Sequence, residues 1–401
     1  MPIWPDRALD WTTDATGPGY QINHIYLLEP FMNNQVAWDS EYYLAISIGG
    51  YDDPNIPAIT KYGVVIPKLD KRVPTKVGPG LRMSLSYAFL PFYPLLIRLL
   101  TIPLHLLGMN PIATATLAGI IISALGTLAG MLALYDLTHE TLGEAGGYRA
   151  AFYLIIFPSS FFLAQIYTEG LFVGLTFCCL AMLKRGQWWP AAILGAAATL
   201  TRAVGVTLII PMSIAWFQTR AWTELDLEWR QIYHQGLPWR AIGSALLAFT
   251  PLIAFLIWKF SFLGFAFDYI ESEFFGRSFM NINASFSNWA YAFRSMLLME
   301  SPQHSAYYFT EFLGMFVGII TIWRSQKYFP ELAWFSLAVF LVSLGSGPAQ
   351  GIHRYILGTP AVFITLARWG ENPVFDRVWT IISALLMGML AMLFAFNMWV
   401  A

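Results

Sequence analysis

Charge is what this sequence has least of. Of its 401 residues, 12% are Asp, Glu, Lys or Arg, about half the roughly 25% of a soluble domain. A formal net charge of -1 leaves no basic excess of the kind that tracks a nucleic-acid backbone, so nucleic acid is excluded as a partner. Cysteine is scarce as well. Cys178 and Cys179 are adjacent in an apolar stretch, where they can neither pair comfortably nor supply a metal set. No G-x-G-x-x-G or G-x-x-x-x-G-K-[ST] run offers a nucleotide cradle, and no Cys/His/Asp cluster has metal-ligand spacing. No metal and no cofactor are expected. A basic head followed by an apolar run, the mark of a signal peptide, is also missing from the start of the chain.

What remains is apolar. Hydrophobic residues make up 57% of the chain, and several stretches reach the ~20 apolar residues needed to cross a hydrocarbon core of ~30 Å. The pattern predicts an all-α polytopic membrane protein with about 9–11 transmembrane helices. Spans are expected over 111–135, 150–167, 169–184, 188–217, 241–263, 306–323, 331–346, 355–369 and 377–399. Sixteen Trp and nineteen Tyr suit two interfacial belts. Short connections carrying Lys184-Arg185, Arg220/Arg230/Arg240, Arg324/Lys327 and Arg368/Arg377 belong in the cytoplasm by the positive-inside rule. The stretch 188–217 must then return to its own side as a re-entrant pair, broken near Arg202, Gly205 and Pro211.

Four regions follow. Residues 1–110 form an outer-face loop region with interfacial helices, including a Pro-interrupted segment around Tyr87–His105 in which Arg98 snorkels. Residues 111–263 form a transmembrane module whose 136–149 connection is cytoplasmic, 264–305 a second outer-face loop, and 306–401 the C-terminal helices. The 345–354 segment also falls on the outer face. An outer segment of this length needs a route across the membrane, so a first transmembrane helix is expected to be missing through truncation or a misplaced start codon, with residues 1–37 trailing from it.

Charges inside this apolar frame are the candidates for chemistry. Asp39 opens a short helical segment that stops at Gly49-Gly50; it suits an N-cap, and in a semi-dry cleft it suits a base that takes a hydroxyl proton. Glu169 stands at the outer junction of two spans, either as a functional acid or, with Thr168, as a cap of the following helix. Arg202, at the re-entrant break, calls for an acid or a phosphate. His353 and Arg354 follow the flexible 345–351 turn, whose amides with a guanidinium suit a phosphate; Arg354 could equally snorkel at a helix start. Glu224-Leu-Asp226-Leu-Glu228, flanked by Trp222 and Trp229, reads as an amphipathic helix on the cytoplasmic surface.

Several motifs then align with one family. Trp38-Asp39-Ser-x-Tyr42-Tyr43-Leu-x-Ile46-x-x-Gly49-Gly50-Tyr51, Tyr87-Ala-Phe-Leu-Pro91-Phe-Tyr93-Pro94-Leu, Phe157-Pro158-Ser-Ser-Phe-Phe, Tyr167-Thr168-Glu169-x-Leu-Phe172, Thr201-Arg202-x-x-Gly205 and Arg354-Tyr355-x-x-x-x-Pro360 occur in order. Together they resemble the PIG-V-type mannosyltransferases. The resemblance implies a GT-C architecture with the catalytic acid on the first outer loop, a polyprenyl-phosphate sugar donor, and a glycolipid or glycan acceptor among membrane lipids. It puts Asp39 in the place of the base for inverting transfer of a hexose at the non-cytoplasmic face. Arg202, His353, Arg354, Glu169, Tyr93 and Trp38 become candidates for holding the donor phosphate and sugar. The membrane would be the plasma membrane of a prokaryote or the endoplasmic reticulum of a eukaryote. Gly170 departs from the family where serine is common, and Ser47 where alanine is common. A lipid or sugar transporter and a silent assembly protein are the competing classes; a transporter would favour paired broken helices, and the sequence carries one broken stretch.

Overall fold

The computed structural model describes residues 24–59, 65–66, 83–219, 239–299, 301–396 and 398–400. Its helices, in chain order, are α1 (Ile25–Leu28), α2 (Ser40–Gly49), α3 (Phe92–Leu104), α4 (Pro111–Ile156), α5 (Thr168–Lys184), α6 (Trp188–Thr201), α7 (Ile209–Thr219), α8 (Trp239–Ala248), α9 (Thr250–Lys259), α10 (Phe262–Glu273), α11 (Ile282–Leu298), α12 (Pro302–Ser325), α13 (Pro330–Leu344), α14 (Ile352–Tyr355), α15 (Pro360–Trp369) and α16 (Pro373–Ala395). Three two-residue strands, Ala58–Ile59, Val65–Ile66 and Met83–Ser84, pair antiparallel with the first in the centre. The 222–229 segment lies outside the described residues.

The chain is an integral membrane protein. Among the described residues, three helices are long and apolar enough to cross a bilayer: Pro111–Ile156, His304–Ser325 and Pro373–Ala395. The bent pair α9 and α10, at 77°, makes a fourth if it counts as one span. The other expected spans are shorter helices separated by breaks. Ile381, Ile382, Leu385 and Met392 stand exposed along α16, the surface a helix turns to lipid. On α3, Leu95, Leu99 and Ile102 are likewise open.

Two expectations change. Residues 136–149 are no loop: helix runs to either side of a single break at Gly143, whose φ of 72° only glycine adopts at little cost. The expected span 150–167 stops at Ile156, since Pro158 disfavours helix at the residue before it and has no N–H to donate. A 3-10 turn over Ser160–Ala164 leads instead to α5. The break between α6 and α7 falls where the sequence placed it. Arg202 is extended, and a Cβ on Gly205 would come within 2.7 Å of the backbone of Ala198, so the chain turns back tightly on α6.

Backbones, not side chains, meet where α4 crosses α5. A Cβ on Gly126 would lie 2.6 Å from the Gly170 carbonyl, and one on Gly174 would overlap the Gly126 carbonyl. Gly126 and Gly130 on α4 thus face Gly170 and Gly174 on α5, the small-residue crossing that suits helices without a hydrophobic drive between them. At Gly170 a side chain would collide with the carbonyls of Ser123 and Leu163. Serine, common there in the resembling family, does not fit this crossing. Against the pair packs α15, buried from Pro360 to Ala367 on every side. A second apolar cluster joins α2, α3 and the first turns of α4.

Gly174→Ala should therefore lower stability by about 1–3 kcal/mol through overpacking. Gly388→Ala, which points into open space, should leave it unchanged. Thermal unfolding in detergent reads both.

Candidate active site

The loop before α2 is held from three directions. Trp38 sits at φ 52°, a conformation a bulky residue adopts only when its surroundings impose it. Its indole N–H donates to the Met398 carbonyl at 3.4 Å, and its ring meets Trp399 edge-on at 4.8 Å. The Tyr167 hydroxyl accepts from the Asp39 N–H and donates to the Ala37 carbonyl, both at 3.2 Å. Upstream, His24 bonds Glu41 at 2.6 Å and Tyr26 donates to Asp53 at 2.5 Å, all four being buried.

So positioned, Asp39 occupies the N-cap place of α2 without capping it. Its carboxylate accepts instead from Arg354 Nη1 at 3.2 Å and stays 25% exposed. Arg354, in the one-turn α14, also reaches Glu169 Oε1 through Nε at 3.3 Å. The same Glu169 oxygen takes a bond from Arg202 Nη1, which donates to Thr168 Oγ1 at 3.1 Å as well. Asp39, Arg354, Glu169 and Arg202, drawn from four distant stretches, form one continuous chain of ion pairs. Glu169 is 3% exposed and Arg354 7%, so neither acid nor base could remain charged there alone.

Aromatic faces complete the enclosure. The Arg354 guanidinium lies 5.4 Å from the ring centres of both Phe162 and Tyr167, and that of Arg202 lies 4.6 Å from Tyr355. The Tyr355 hydroxyl accepts from Arg277 Nη1 at 2.6 Å. Burial works against charge on Arg354, but Glu169 and Asp39 outweigh it and hold its pKa well above the usual range. The space between Glu169, Arg202, Arg354 and Tyr355 amounts to ≈ 10 Å³, at most one water's room. A ligand meets this cluster from the exposed side of Asp39.

Two candidates sit elsewhere by their contacts. The His353 ring is bound to Glu311 at 3.1 Å and to the Val400 carbonyl at 2.9 Å, while Glu311 also accepts from the Gly351 and His353 amides. This network ties α12 to the turn before α14. Tyr93 is wholly buried, its hydroxyl on the Gly119 carbonyl and Ser123 at 3.1 and 2.9 Å. It joins α3 to α4 and supports Tyr43 edge-on. Sequence reasoning missed Arg277 altogether. A single basic residue in a polar loop gives no hint of a partner 78 positions later.

Fold and contacts together define a helical membrane protein whose first polar segment docks an acid onto a buried cluster of ion pairs. Its sequence places it nearer one group. Residues 75–265, just under half the chain, match the family described as Mannosyltransferase (PIG-V). The matched stretch carries the Tyr87–Leu95, Phe157–Phe162, Tyr167–Phe172 and Thr201–Gly205 motifs and leaves those of Asp39 and Arg354 outside it. GPI alpha-1,6-mannosyltransferase 2 of Cricetulus griseus is 26% identical over 186 residues, 46% of this chain and 32% of that protein. Its Homo sapiens counterpart is 33% identical over 129 residues, 31% of this chain and 26% of that protein. The matched stretches span about a third of these relatives' length. Among solved structures, ArnT from Cupriavidus metallidurans bound to undecaprenyl phosphate is 14% identical, covering 93% of this chain and 69% of its own, with a TM-score of 0.47. The Archaeoglobus fulgidus oligosaccharyltransferase is 18% identical over 77% of this chain and 44% of its own, with a TM-score of 0.36.

Glu169→Gln would leave the buried Arg354 guanidinium and the half-buried Arg202 guanidinium facing a neutral amide. It should cost on the order of 3 kcal/mol of stability, measured by thermal unfolding in detergent. An unchanged midpoint would mean that the Glu169 charge does not hold the cluster.

Proposed function

We propose that this chain is a GT-C-type glycosyltransferase that moves a hexose, mannose by kinship, from a polyprenyl-phosphate donor to an acceptor hydroxyl on a glycolipid or glycan. The reading is carried by Asp39: a partly exposed carboxylate, released from capping, beside the guanidinium of Arg354 at 3.2 Å. The central match to mannosyltransferases supports the choice of sugar.

In this mechanism Asp39 takes the acceptor's proton as the acceptor oxygen bonds to the anomeric carbon from one face. The bond from that carbon to the phosphate oxygen breaks on the other face, and the phosphate leaves with the electron pair. Configuration inverts. Negative charge grows on the departing phosphate, and a guanidinium fixed beforehand in a dry site stabilises it without reorganising. Arg354, through its pairing with Asp39 and Glu169, stays charged and keeps the base oriented. Arg202 acts through Glu169. The active side is the non-cytoplasmic face, since the basic residues Lys184 and Arg185 mark the opposite end of α5 from Glu169.

Asp39→Asn should reduce transfer from polyprenyl-phosphate mannose into membrane glycolipids by about 10²- to 10⁴-fold while donor binding persists. Wild-type rates in that variant would remove the assignment. Facing is tested separately by thiol labelling of intact cells with an impermeant reagent. Asn283→Cys should react and Gln187→Cys should not, although both positions are exposed in the fold; the reverse pattern would invert the proposed orientation.

A further inference from the structure

The positive charges around Tyr355 are not equally engaged. Arg202 is matched by Glu169, and Arg354 by Glu169 and Asp39. Arg277 has no carboxylate within ion-pair distance among the described residues. Its one side-chain bond is to the neutral Tyr355 hydroxyl, and its Nε is buried without a hydrogen-bond partner. The residue is half-buried, and the Glu271 carboxylate acts on it only from beyond ion-pair distance, so the sealed Nε stays open to an anion at contact.

The loop that carries Arg277 is also held in place. The Arg277 amide donates to the Glu271 carbonyl at 2.8 Å, and the Ser278 amide to the Ser346 carbonyl at 2.9 Å. Gly347 approaches so closely that a Cβ there would lie 2.7 Å from the Gly276 carbonyl, and Asn288 donates to the Gly347 carbonyl at 2.9 Å. The segments 274–280 and 345–351 are thus clasped together beside α14. Arg277 is presented by a preorganised scaffold, which reduces the entropy lost on binding.

We infer that Arg277, with the Tyr355 hydroxyl beside it, grips the phosphate of the lipid-linked donor. Resting on the transferase reading above, this separates the guanidinium groups by what each one holds. Arg354 keeps the base in place, and Arg277 takes the phosphate. The phosphate gains a second negative charge when the sugar departs, so the product lipid phosphate binds this arm most strongly. Tyr355 is a positioning residue, fixing Arg277 from one side while Arg202 packs on its ring.

The test uses the full chain in detergent with undecaprenyl phosphate as probe and undecaprenol as its uncharged counterpart, reading thermal stabilisation as a function of lipid concentration. The wild type should be stabilised by the phosphate and not by the alcohol. Arg277→Ala and Arg277→Gln should each weaken phosphate binding by about tenfold or more, the loss of a charge-assisted bond. Tyr355→Phe should weaken it less, and Arg294→Ala, an exposed cation on α11, should not weaken it. Without lipid, Arg277→Gln should melt close to the wild type, so that its loss of phosphate affinity is read on a folded chain. Wild-type affinity in both Arg277 variants, or an equal loss in Arg294→Ala, would overturn the inference and leave the transferase reading intact. A wild type indifferent to the phosphate would take both down.

Discussion

One carboxylate between two guanidinium groups organises the interior of this protein. Glu169 stands at the first turn of α5, almost wholly buried, and Arg202 and Arg354 converge on a single one of its oxygens. In an apolar bundle each of these charges alone would be prohibitively costly, so the three elements that carry them are tied into one arrangement. The break between α6 and α7 exists where Arg202 must turn inward, and α14 is a single turn that carries Arg354. Asp39 joins as the outermost member, which is why the loop before α2 docks here.

That cluster can form only because the helices around it come close. Glycines on α4 and α5 let the two backbones touch, and Ser123 and Thr127 on α4 bond the carbonyls of Tyr167 and Leu163 just before α5 begins. Tyr167 is thereby fixed, and it in turn clamps the backbone on either side of Trp38. Small residues at a helix crossing thus set the position of a distant acid. The route runs from helix crossing to tyrosine to carboxylate through contacts of 3.2 Å.

The resulting site is asymmetric in water access. Glu169 and Arg354 are sealed, whereas Asp39 keeps a quarter of its side chain open. That exposure is what the proposed base requires, and the groups that hold it need none. Arg277 and Tyr355 extend the cationic side toward the second polar segment, so the chemistry is shared between loops far apart in the chain.

Much of the frame was legible in the residues. Scarcity of charge and long apolar runs decide for a helical membrane protein, because no other surface tolerates them. Pro and Gly mark the breaks: Gly205 at the turn after α6, Pro360 at the start of α15. Asp39, Glu169, Arg202 and Arg354 stood out as charges in apolar surroundings. The sequence could not say that Asp39 leaves its capping role, that His353 and Tyr93 spend their polar atoms on Glu311 and α4, or that Arg277 arrives beside Tyr355. Periodicity and composition act over a few neighbours and settle what each segment becomes. Which charges neutralise one another depends on distances across tens or hundreds of residues, and only the folded chain decides those.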